Sequence, residues 1–121
     1  MKQVMIIDDS PRIRRRIAGL LSESSDIRIV GEAGNAADAL AAVERIRPDT
    51  VILDIRLPGQ SGIALLKTFK TQYPEMAVIM LTNLNDARYR EQCRKLGADH
   101  FLSKTKEFES IVATVFADPT H

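Results

Sequence analysis

Val4-Met5-Ile6-Ile7-Asp8-Asp9 is a short apolar run closed by two carboxylates, and Thr50-Val51-Ile52-Leu53-Asp54 has the same form. Apolar runs of this length, bounded by polar residues, read as buried strands. Carboxylates at the ends of two such strands gather at one edge of a sheet. Three like charges held together repel one another unless a cation or shared protons offset them. A divalent-metal site is the economical explanation.

Outward from these runs, the chain alternates strand and helix patterns. Strands are expected at Val4–Ile7, Ile27–Gly31, Thr50–Leu53, Ala77–Leu81 and His100–Leu102. The first, third and fourth are continuously apolar, as in strands covered on both faces, whereas Ile27-Arg28-Ile29-Val30 alternates partially and suits an edge. Ser10 caps a helix that begins at Pro11 and carries an apolar stripe of Ile13, Ile17, Leu20 and Leu21. Asn35 caps a second helix with Ala36, Leu40 and Val43 inward. Ser61-Gly62 opens a third with Ile63, Leu66 and Phe69 inward. Asn85 or Asp86 starts a fourth, closed by Gly97, and a fifth runs from about Thr105 with Phe108, Ile111, Val112 and Val115 inward. Five strand-then-helix repeats predict an α/β fold: a five-stranded parallel sheet with right-handed crossovers and helices on both faces. In the doubly wound order 2-1-3-4-5, ligands bind beyond the carboxyl ends of strands one and three, where Asp8, Asp9 and Asp54 stand.

Length and composition narrow the class. A chain of 121 residues, 45% hydrophobic and 27% charged, reads as one globular domain over residues 1–121. The net charge of +1 argues against non-specific binding of nucleic acid. Arg14-Arg15-Arg16 reads as a solvated helix face. Cys93 is the only cysteine, so no internal disulfide forms. A free thiol fits a reducing compartment, and its helical spacing with Tyr89 and Leu96 reads as packing. No apolar stretch approaches the roughly 20 residues that span a bilayer. With no signal-peptide architecture, the expectation is a cytoplasmic protein without membrane insertion.

Two further polar residues stand at strand ends. Thr82 follows Val78-Ile79-Met80-Leu81, and Lys104 follows Phe101-Leu102-Ser103. Three carboxylates, a hydroxyl and an ammonium at one sheet edge have a common chemical logic. Hard oxygen ligands with room for water suit Mg²⁺. A carboxylate can attack phosphorus to give an aspartyl phosphate, and a cation, an ammonium and a hydroxyl can neutralise and orient a phosphoryl group.

On these residues the chain resembles the receiver domain of bacterial two-component response regulators, a flavodoxin-like fold, of the single-domain chemotaxis-regulator type. The matching motifs are Ile7-Asp8-Asp9-Ser10, Leu53-Asp54-Ile55-Arg56-Leu57-Pro58-Gly59, Met80-Leu81-Thr82-Asn83, Gly97-Ala98-Asp99 and Phe101-Leu102-Ser103-Lys104, and together they cover essentially the whole chain. The resemblance implies that Asp54 is the phosphoacceptor. It implies that Asp9 binds Mg²⁺ directly, Asp8 largely through water, and Arg56 through its backbone carbonyl. Thr82 and Lys104 would hold the phosphoryl oxygens, and Phe101 would be an aromatic switch. The implied donor is a sensor histidine kinase or a histidine phosphotransfer protein. The implied readout is a protein partner at the face of helix four, strand five and helix five, with no output domain and no direct nucleic-acid contact.

The chain departs from the family pattern at Thr105, where proline usually follows the lysine across a cis peptide, and at Asn83, where a smaller residue is usual. The Thr105 departure keeps open a second reading, a pseudo-receiver that acts as a phosphorylation-independent interaction module. Enzyme readings fare worse. A phosphatase with an aspartyl nucleophile needs an acid–base carboxylate two residues on, and Arg56 stands there. A flavin phosphate would be repelled by Asp8 and Asp9.

Overall fold

The computed structural model describes residues 1–83 and 87–117. Its strands are β1 (Lys2–Ile7), β2 (Ile27–Ala33), β3 (Thr50–Leu53), β4 (Ala77–Thr82) and β5 (His100–Ser103). The helices are α1 (Pro11–Leu21), α2 (Ala36–Ile46), α3 (Gly62–Gln72), α4 (Ala87–Lys95) and α5 (Ile111–Ala117). All pairings are parallel, in the order β2-β1-β3-β4-β5. The expected topology is therefore the observed one.

Period-two alternation divides the sheet between two cores. Met5, Ile7, Val51, Leu53, Val78 and Met80 pack with α2, α3 and Cys93 of α4. Val4, Ile6, Ile52, Ile79, Leu81 and Leu102 pack with Ile17 and Leu21 of α1 and Ile111 and Val115 of α5. Cys93 is fully buried, and burial pushes its thiol above the ordinary value, which suits packing and not nucleophilic chemistry.

Capping chemistry sets the helix starts. Side chains of Ser10, Asn35 and Ser61 accept from the backbone N–H of Ile13, Asp38 and Ala64. Gly97, at φ 98°, ends the turn after α4. The expected start of the fourth helix, at Asn85 or Asp86, lies outside the described residues.

Three expectations need correction. Leu40 is exposed, and Ala39 takes the inward position between Ala36 and Val43; the buried stripe runs at 36, 39 and 43, leaving Leu40 at its edge. β2 continues past Gly31 to Ala33, after a register shift opposite Val4 and Met5. The fifth helix does not start at Thr105. The backbone N–H groups of Thr105 and Lys106 donate to Ser103 Oγ, and Glu107 N donates to the Ser103 carbonyl. These bonds hold residues 104–106 in a turn, so a 3₁₀ segment at Phe108–Ser110 precedes α5.

Gly62 ties this framework to the sheet edge. Its N–H donates to the Ile55 carbonyl at 2.7 Å. A Cβ there would lie 1.8 Å from the Asp54 carbonyl oxygen and 2.8 Å from Ile55 Cα. Both obstacles are backbone, so no side chain can rotate out of the way. Gly62→Ala is expected to destabilise the protein by about 3 kcal/mol or more. A urea midpoint equal to that of the wild type would show that α3 can draw back from β3 without cost.

Candidate functional site

The register of the sheet builds the site. Ile7 pairs with Leu53, so Asp8 and Asp54 are the first residues beyond two adjacent strands. Asp54 N donates to the Ile7 carbonyl at 3.1 Å, and Asp8 N to the Ala33 carbonyl at 3.0 Å. Thr82 pairs with Ser103 at the ends of β4 and β5, and Lys104 N donates to the Thr82 carbonyl at 3.0 Å. Asp8, Asp54, Thr82 and Lys104 are thus each positioned by a ladder that ends at that residue or the one before it.

Lys104 joins the two buried carboxylates. Its Nζ lies 2.6 Å from Asp8 Oδ2 and 2.7 Å from Asp54 Oδ2. The other oxygens are also occupied: Asp8 Oδ1 accepts from Ser10 N at 2.9 Å, and Asp54 Oδ1 from Ile55 N at 2.7 Å. All peptide bonds of the described residues are trans. The Lys104–Thr105 bond is therefore trans, and lysine still reaches both aspartates.

Asp9 completes the cluster. Ligand atoms of Asp8, Asp9 and Asp54 lie within 4.8 Å of one another, with Asp9 exposed and the other two buried. Among the described residues no ion pair includes Asp9. Three carboxylates against one ammonium leave an excess of negative charge on hard oxygen donors, open on the Asp9 side. That arrangement fits a small divalent cation with part of its water shell. A cleft of about 490 Å³ opens there, between Asp9, Arg56, Ser61 and Tyr89.

The other expected site residues are also placed. Thr82 is buried, and Asn83 beside it is exposed. Phe101 is buried beneath Arg90, whose guanidinium carbon lies 4.7 Å from the ring centroid and whose Nη1 donates to the Phe101 carbonyl at 3.0 Å. His100 is half-buried, and its Nε2 has no partner among the described residues. Arg14 is the residue the sequence misplaced. It is not on a solvated face: its guanidinium donates to the Asp8 carbonyl and to Glu32 Oε1. The basic run gave no sign of which arginine turns inward. Helical phase is the usable signal, since positions 14, 17, 18 and 21 share one helical face and Ile17 and Leu21 are buried.

Burial pushes the Asp8 carboxyl above its ordinary value, and the bonds from Lys104 and Ser10 offset only part of that push. For Lys104, burial works to lower the value, but the bonds and charges of Asp54 and Asp8 outweigh it and leave the ammonium above 10.5. A folded-state pKa above the unfolded one means that the Lys104 contribution is whole below pH 10.5 and fades as pH rises through the folded value. Lys104→Met, which strands buried carboxylates, is expected to cost about 2–4 kcal/mol near neutral pH in metal-free buffer. The gap from the wild type should narrow well above pH 10.5; a gap in urea midpoints that stays constant with pH would contradict this arrangement.

Comparison with known proteins agrees with this geometry. The DNA-binding transcriptional activator EvgA of Escherichia coli K12 is 34% identical over 113 residues, covering 93% of this chain and 55% of that protein. The chain spans about half the length of curated relatives such as this one. Among solved structures, the receiver domain of NarL from Mycobacterium tuberculosis superposes with a TM-score of 0.88 at 29% identity, covering 95% of this chain and 93% of that one. A DNA-binding response regulator of the LuxR family from Staphylococcus aureus gives 0.88 at 26% identity, covering 96% and 97%. The sequence profile of the response regulator receiver domain matches residues 4–116, so the strand-end aspartates, threonine and lysine belong to a chain that is a member of that family.

Proposed function

We propose that this receiver accepts a phosphoryl group on Asp54 from a phosphohistidine donor, in a Mg²⁺-dependent step, and that the modification switches a protein-binding face. The observation that carries the proposal is Lys104 Nζ seated between Asp54 and Asp8, beside a third carboxylate within ligand distance. In this reading an Asp54 oxygen attacks phosphorus as the donor's imidazole nitrogen leaves. Lys104 transfers its contact from Asp54 to a phosphoryl oxygen, and the Thr82 hydroxyl donates to another. Bound Mg²⁺, held by Asp9, Asp54 and the Arg56 carbonyl with Asp8 through water, would neutralise the charge that gathers on the phosphoryl oxygens.

The donor would be a sensor histidine kinase or a histidine phosphotransfer protein. Movement of Thr82 toward the phosphoryl group would change the space open to Phe101 and so the packing of α4 on β5. Phosphorylation then biases a two-state equilibrium instead of building a new structure. The face of α4, β5 and α5 would read that equilibrium out to a partner protein. The DNA binding named for EvgA belongs to that longer protein, and direct nucleic-acid contact is no part of the role proposed for this domain. Nor is steady enzymatic turnover: the domain assists its own phosphorylation and dephosphorylation.

The test is intact mass after incubation with acetyl phosphate, with and without Mg²⁺. The wild type is expected to gain one phosphoryl group only with Mg²⁺, and Asp54→Asn to gain none. A folded wild type that gains nothing would favour an interaction-only module. A gain that survives Asp54→Asn would place the acceptor elsewhere.

A further inference from the structure

A parallel ladder would answer the Asp8 carbonyl with a backbone N–H from the strand beside it. β2, however, stops at Ala33, whose own carbonyl accepts from Asp8 N at 3.0 Å. Two residues further on, Asn35 has turned away to cap α2. The strand end is therefore left without its next ladder partner, at the peptide that joins Asp8 to Asp9. Arg14, on α1, fills that place. Its Nη1 donates to the Asp8 carbonyl, and its Nε lies 3.2 Å from Glu32 Oε1 on β2. Its side chain is only 19% exposed. Gly34 leaves the room, since a Cβ there would sit 2.9 Å from Arg14 Nη1.

We infer that Arg14 is a positioning residue for the metal-binding carboxylates, and that it acts by fixing the plane of the Asp8–Asp9 peptide. The inference rests on the Mg²⁺-dependent reading above. A peptide is planar, so a donor that holds the Asp8 carbonyl also sets the direction in which the Asp9 Cα leaves β1. Asp8 is independently held by Lys104 and Ser10. Asp9 is exposed and has no ion-pair partner among the described residues, so its placement depends on this backbone. The planar guanidinium reaches the carbonyl and Glu32 from one fork. A lysine ammonium can reach the carbonyl but cannot keep that forked geometry.

Calorimetric titration with Mg²⁺ tests this, using the wild type, Arg14→Ala, Arg14→Lys and Gly34→Ala, each checked for folding by thermal denaturation. Gly34→Ala keeps every charge and only crowds the guanidinium. Arg14→Ala is expected to weaken Mg²⁺ binding by about tenfold, Arg14→Lys by less, and Gly34→Ala in the same direction. Phosphoryl uptake from acetyl phosphate should recover in all three at saturating Mg²⁺. Equal Mg²⁺ affinity in wild type and folded variants would overturn the inference and leave the proposed function standing. So would a loss of uptake that saturating Mg²⁺ does not repair. A wild type that binds no Mg²⁺ would overturn both.

Discussion

The Lys104 ammonium between Asp8 and Asp54 is the contact on which the rest of the site depends. Two carboxylates buried side by side call for a counter-charge, and burial pushes the Asp8 carboxyl above its ordinary value. A counter-charge from a residue fifty positions away requires β5 to sit where it does, two strands from β3. The fold thereby converts order along a sheet into proximity among charges. The pair also leaves the site incomplete, since one ammonium cannot balance three carboxylates. That imbalance makes a divalent cation a fitting addition at the open side near Asp9.

The surrounding backbone keeps this arrangement in place. Gly62 lets α3 start directly against the Asp54–Ile55 backbone. Ser103 gathers the N–H groups of Thr105 and Lys106 into a turn that presents Lys104. A trans peptide at a threonine thus delivers lysine to the aspartates, in the place where the family usually has proline. Arg90 covers Phe101 and bonds its carbonyl. The proposed switch residue is therefore linked to α4 before any phosphoryl group arrives.

Much of this was legible in the sequence because strand ends are written in hydrophobic contrast. Asp8, Asp54, Thr82 and Lys104 each follow apolar runs, and parallel topology sends those ends to one edge. Caps were equally readable, since Ser10, Asn35 and Ser61 supply a local acceptor. Contacts between distant segments were not. Nothing in Arg14-Arg15-Arg16 says which guanidinium meets a carbonyl left over where β2 ends. Nothing in Thr105-Lys106-Glu107 says that Ser103 holds their N–H groups. The inward place of Ala39 over Leu40 depended on the exact phase of a helix against its sheet.

The most direct measurement of the central claim is a double-mutant cycle on Lys104→Met and Asp54→Asn, read as urea unfolding free energies in metal-free buffer. If one ammonium holds the buried carboxylates as a unit, the two changes should be non-additive, with a coupling of about 1–3 kcal/mol in favour of the native pair. Additive effects would contradict the account and reduce Lys104 to a bystander at the strand end.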